Sequence, residues 1–103
     1  MLFTVKTVFG EKRIKAFALG RGLFLHRHLD SPVDWKISAK CGYGVVSIIG
    51  CYHFHTIVKN AQILKKLDWN KVPPPANAEL WRDFNQKPYK DLIVEFKREF
   101  ELE

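Results

Sequence analysis

Trp35-Lys36-Ile37-Ser38-Ala39-Lys40-Cys41-Gly42-Tyr43-Gly44-Val45-Val46-Ser47-Ile48-Ile49 is the stretch on which the fold turns. Trp35, Ile37 and Ala39 alternate with Lys36, Ser38 and Lys40, the period of a strand with one dry and one wet side. Cys41-Gly42-Tyr43-Gly44 turns the chain back. The run Val45-Val46-Ser47-Ile48-Ile49 is nearly continuous apolar and β-branched, which predicts a strand in the middle of the sheet, covered on both faces.

Upstream, residues 23–29 alternate in the same way. Phe24, His26 and His28 fall on one face, and Leu23, Leu25, Arg27 and Leu29 on the other. Gly20-Arg21-Gly22 and Asp30-Ser31-Pro32 punctuate this strand on either side. Residues 2–8 and 13–19 alternate around a turn at Gly10 and read as a hairpin.

Downstream the period changes. Thr56 is a candidate N-cap for a helix carrying Ile57, Ala61, Leu64 and the nearby Leu67 inward, with Lys59, Gln62, Lys65 and Lys66 outward. Val72-Pro73-Pro74-Pro75-Ala76 forbids helix and favours a short stiff linker. Beyond it, Asn77 can cap a short helix with Leu80, Trp81 and Phe84. Pro88 can open another, in which Tyr89, Leu92, Ile93, Phe96 and Phe100 form one apolar stripe. The expectation is an α+β domain: a twisted antiparallel sheet of about five strands, one packed helix and a helical tail. Residues 1–71 form the basic, β-rich part, 72–76 the linker and 77–103 a tail packed on the same domain. The tail stripe suits docking on its own sheet, or dimerisation through the C-terminal helix.

At 103 residues, with 47% hydrophobic and 14% aromatic side chains, the chain belongs with one ordinary globular domain. The N-terminus shows no apolar run followed by a small-residue cleavage site, so no signal peptide is expected. The longest stretch without formal charge, residues 41–58, contains three glycines and falls short of the ~20 apolar residues that span a bilayer. Two cysteines without an export signal point to a reducing cytoplasm and free thiols, although counting leaves a Cys41–Cys51 bridge open.

All four histidines and both cysteines lie between His26 and His55. If a strand ran through Cys51, His53 and His55, those three would share a face, as do His26 and His28, and two such faces on neighbouring strands could offer ligands to zinc. Zinc sites usually show tighter pairs such as Cys-x-x-Cys, so packed or surface histidines are the expected outcome, with no cofactor. Cys51 with His53 two residues away could form a thiol–imidazole pair, but buried inert thiols account for both cysteines more simply. The chain contains no Gly-x-Ser-x-Gly, phosphate-binding glycine loop, His-Glu-x-x-His or paired acidic motif, and no catalytic residue is assigned.

Charge is the stronger signal. Residues 1–71 hold twelve Lys/Arg against four Asp/Glu, a balance of +8, whereas residues 72–103 hold five against seven. Arg13, Lys15, Arg21, Arg27, Lys36 and Lys40, interleaved with Phe17, Phe24, Trp35 and Tyr43, are the candidate residues for contact with phosphates and unpaired bases. The partners this suggests are nucleic acid, or an acidic protein that handles it, and no membrane.

Trp35-Lys36-Ile37-Ser38, Gly44-Val45-Val46, the helix with Ala61 and Leu64, and Leu67-Asp68-Trp69 together resemble short proteins of phages and other mobile elements, including anti-CRISPR-type inhibitors. The likeness covers about a third of the chain, and Ala39 stands where a histidine often follows the Trp-x-Ile-Ser segment. It implies a compact sheet-plus-helix protein that acts by binding, and it carries over no catalytic residue. The reading that follows is a small non-enzymatic binding protein with a basic sheet face. Its rivals are a metal- or thiol-dependent enzyme built on the His/Cys set, and a structural subunit that docks through the tail.

Overall fold

A computed structural model describes residues 1–7, 10–50, 52–72 and 89–101. The class is α+β. Strands β1 (Leu2–Thr7) and β2 (Gly10–Lys15) form one antiparallel sheet, and β3 (Phe17–Gly20), β4 (Leu23–Arg27), β5 (Trp35–Ala39) and β6 (Gly44–Ile48) form another in that order. Among the described residues two helices follow, α1 (Phe54–Leu64) and α2 (Tyr89–Glu101). The proline segment 73–76 and the expected short helix with Leu80, Trp81 and Phe84 lie outside the described residues.

The expected single five-stranded sheet is therefore two sheets, of two and four strands. The strand anticipated over residues 13–19 breaks at Ala16, whose N–H donates to the Met1 carbonyl at 2.9 Å, while Phe17 begins a new ladder opposite Leu25. A small side chain at the break lets the hairpin fold back onto the larger sheet. Phe3 then stacks on Phe24 with ring centroids 4.4 Å apart, and the Lys6 N–H reaches the Gly42 carbonyl at 2.9 Å. Phe3, Val5 and Ala16 form a small second core with Ile14 and Phe24.

The strand register separates the two faces of the larger sheet. Leu25, Ile37 and Val46 are in line, as are Arg27, Trp35 and Ile48, and Leu23 pairs with Ala39. All of these except Arg27 are buried in one core with Ile57, Ala61 and Leu64 of α1 and Leu92, Phe96 and Phe100 of α2. The opposite face carries Phe24, His26, Lys36, Ser38 and Ser47, with the hairpin over its Phe24–His26 side. The order of layers is hairpin, sheet, helices. The α2 stripe considered above as a dimer surface faces this chain's own core.

Two further expectations change. The apolar run at residues 45–49 is not central: β6 is an edge strand, with Ser47 and Ile49 exposed. Its continuity comes from a register shift opposite Ile37 and Ser38, which leaves Val45 as an extra residue, so that Val45 and Val46 are both buried. The Tyr89 hydroxyl donates to the Val45 carbonyl at 3.4 Å. Burial pushes the phenol up to about 12, with the nearby Cys41 thiol adding to the shift. Helix α1 begins at Phe54, upstream of Thr56, with His53 at the cap position and no side-chain capping bond. No helix among the described residues is long and apolar enough to cross a membrane.

Candidate binding surfaces

The histidines do not converge. His26 is 2% exposed beneath the hairpin, with Nδ1 2.8 Å from the Arg27 carbonyl and Nε2 2.8 Å from Ser38 Oγ. A carbonyl can only accept, so Nδ1 carries the proton and Nε2 accepts from the serine hydroxyl. Both ring nitrogens are satisfied. Burial lowers the pKa below the ordinary 6.5; the carbonyl bond opposes this, and the charges of Lys36 and His28 reinforce it.

That arrangement fixes a pH dependence. Below 6.5 the unfolded chain takes up a proton that folded His26 refuses. The stability it contributes is thus present above 6.5 and is lost as pH falls toward the folded value. Thermal melts between about pH 7 and pH 5 are expected to show a falling stability, with a slope of at most about 1.4 kcal/mol per pH unit from this one proton. The slope flattens in His26→Gln, and an unchanged slope in that variant would place the titration elsewhere.

His28 lies past the end of β4, where its Nδ1 accepts the Asp30 N–H at 3.1 Å within a local turn. His53 and His55 are exposed at the start of α1, with rings stacked 5.6 Å apart. They stand on a helix entrance and not on a strand, because β6 ends at Ile48, so the condition for a second ligand face is not met by these two residues. Cys41 carries a free thiol, half-buried in the β5–β6 turn, and Cys51 lies outside the described residues. Among the described residues no group of three or more His, Cys, Asp or Glu is disposed to hold a metal ion.

The six basic candidates spread over several surfaces. Arg13 and Lys15 share the outer face of the hairpin with Leu2, Thr4, Lys6 and Glu11, while Phe3, Val5 and Ile14 face inward. Arg21, at φ 52° in its turn, and Lys40 lie at the same end of the larger sheet, where the Lys40 N–H donates to the Gly22 carbonyl at 2.7 Å. Arg27 sits at the opposite end with its guanidinium 3.7 Å from the centre of the Trp35 ring. Lys36 is half-buried on the other face, its alkyl chain lying against Gly44. A shared basic face fails for a geometric reason: residues 27 and 36 have opposite parity in the ladder, and residues 13 and 15 belong to another sheet.

Of the interleaved aromatics, Trp35 and Tyr43 are buried and Phe24 is half-covered by Phe3. Phe17 remains 55% exposed and meets Phe54, 42% exposed, edge-to-face at 5.0 Å. Between β3 and α1 these two rings overlook an open groove of about 530 Å³ that ends at Gln62 and Lys65. Sequence reading missed the groove because Phe54 was not placed in the helix. No protein-family model, curated protein or solved structure matches this chain.

Proposed function

We propose that this is a non-enzymatic binding protein whose basic hairpin engages the phosphate backbone of a nucleic acid. The supporting observation is the outer face of β1–β2, where Lys6, Arg13 and Lys15 are exposed in cross-strand proximity and Glu11 is the acidic residue among them. Packing of Phe24, Trp35 and Tyr43 removes base stacking from this face, so the contact is electrostatic and indifferent to sequence. The same face can occupy an acidic surface on a protein that handles nucleic acid. A phage or mobile-element inhibitor of host defence, as the sequence resemblance implies, would act in that way.

The test is fluorescence anisotropy with a labelled duplex and a labelled single strand across a salt series. Three phosphate contacts give a loss of about 40-fold in duplex affinity between about 50 and 200 mM salt. The Arg13→Glu/Lys15→Glu double variant, altered only at exposed positions, should bind at least about tenfold more weakly. Salt-insensitive binding, or equal binding by the double variant, would remove the hairpin from the reading. Absence of oligonucleotide binding, together with capture of a nuclease-resistant acidic protein by the wild type alone, would shift it to the protein partner.

A further inference from the structure

We propose that the β3 edge and the groove beside it receive an extended peptide segment from a partner protein, added as a fifth strand, with alternate apolar side chains in the groove and an acidic residue against Lys65. Among the described residues β3 is the terminal strand of the four-stranded sheet, and one side of its backbone faces no other described strand of that sheet. Sheet edges are ordinarily guarded by charge or proline, yet Phe17-Ala18-Leu19-Gly20 contains neither. Both edge strands carry a register shift, β3 between Ala18 and Gly20 and β6 at Val45, but β6 also gives its Val45 carbonyl to the Tyr89 hydroxyl. The less protected edge is the one that borders the groove.

The groove has two distinct ends. The side chains of Met1, Phe17 and Phe54 form an apolar end, beside which the Met1 ammonium donates to the Ala16 carbonyl at 3.4 Å; Val58 and Leu19 continue the wall, and Lys65 closes the other end. The Lys65 ammonium lies over Gly20, 3.2 Å from where a Cβ would stand there. A strand repeats its side-chain direction every second residue, so a segment of about four residues spans roughly 13 Å and alternately fills such a wall. Main-chain pairing supplies affinity, and the pockets supply selectivity.

Charge decides which occupant fits. A second copy pairing antiparallel through β3 would bring the region around Lys15 of each chain toward the Lys65 end of the other, placing like charges together. A nucleic acid would find two separated ammoniums, of Met1 and Lys65, at the ends of an apolar wall where it needs a continuous row of cations. An apolar strand bearing a carboxylate at one end meets both features. This surface is separate from the outer hairpin face, so the two readings stand or fall independently.

The experiment is selection from a phage-displayed random octapeptide library on the full chain, followed by amide chemical-shift mapping with a synthetic peptide of the enriched sequence. The expected consensus has apolar residues at alternate positions and Asp or Glu at one end, and the largest shifts fall on residues 17–20. Lys65→Glu should weaken that peptide about tenfold and, in a repeated selection, exchange the acidic end for Lys or Arg. A swap of preference cannot come from misfolding. No enrichment, a consensus without the acidic end, shifts remote from β3, displacement of the peptide by a single-stranded oligonucleotide, or a dimer through β3 would each overturn the proposal.

Discussion

Trp69→Ala is expected to lower the unfolding free energy by about 3–5 kcal/mol, a large part of the roughly 5–15 kcal/mol that holds a domain of this size. Trp69 is 1% exposed, and it fastens three parts of the chain at once. Its backbone N–H donates to the Arg21 carbonyl at 2.8 Å, its indole Nε1–H to the Leu64 carbonyl at 2.7 Å, and its ring meets Tyr89 edge-to-face at 5.1 Å. The turn before β4, the end of α1 and the start of α2 are thus tied together. Alanine removes the ring contacts and the indole bond and leaves a cavity at the centre of that tie. Trp69→Phe retains most of the apolar contact, so it should cost less, with about 1 kcal/mol of its loss due to the missing hydrogen bond. Chemical denaturation of the two variants checks both numbers; a loss below about 1.5 kcal/mol in Trp69→Ala would show that the site collapses and that the tie is weak.

How much of this could be read beforehand depends on whether a residue answers to local or distant partners. Leu23, Leu25, Trp35, Ile37 and Ala39 alternate in the sequence and are buried on one face, and Ile57, Ala61 and Leu64 follow helical spacing onto it. Those features are local. The break at Ala16 is not, since it depends on the Met1 carbonyl fifteen residues away and on the pairing of Phe17 with Leu25. Similarly, the apolar run at residues 45–49 resembles a central strand only because a bulge turns Val45 inward, and a bulge is set by the neighbouring strand. His53 makes no side-chain capping bond, so the sequence offers Thr56 as the cap although α1 starts at Phe54.

The same distinction governs the candidate surfaces. Spacing along β4 placed His26 beside Phe24 correctly, but whether that face was wet or dry depended on the hairpin folding over it. Arg27 and Lys36 belong to different faces of the sheet, a separation that composition alone does not show. The groove beside β3 needs Phe54, Val58 and Lys65 on one side of a helix and Phe17 and Leu19 on a strand remote in sequence. No window of the sequence contains both walls.

Gly22→Ala should cost about 3 kcal/mol or more, the other large effect. Gly22 sits at φ +86°, where an alanine is strained by about 1–2 kcal/mol from its own backbone. Crowding adds to that. A Cβ there would stand 2.6 Å from the Asn70 nitrogen and 2.8 Å from the Trp69 carbonyl carbon, both backbone atoms held by the hydrogen bond between Trp69 N–H and the Arg21 carbonyl. Relief requires separating the turn from the segment after α1, which breaks the tie that Trp69 makes. Gly10→Ala isolates the backbone component, because Gly10 has φ +113° and no atom of the described residues beyond its chain neighbours lies within 4 Å of its Cβ position. Denaturation midpoints should therefore order as wild type, then Gly10→Ala, then Gly22→Ala. If the two glycine variants lose the same stability, the close approach of the Trp69–Asn70 backbone to Gly22 is not what fixes this junction.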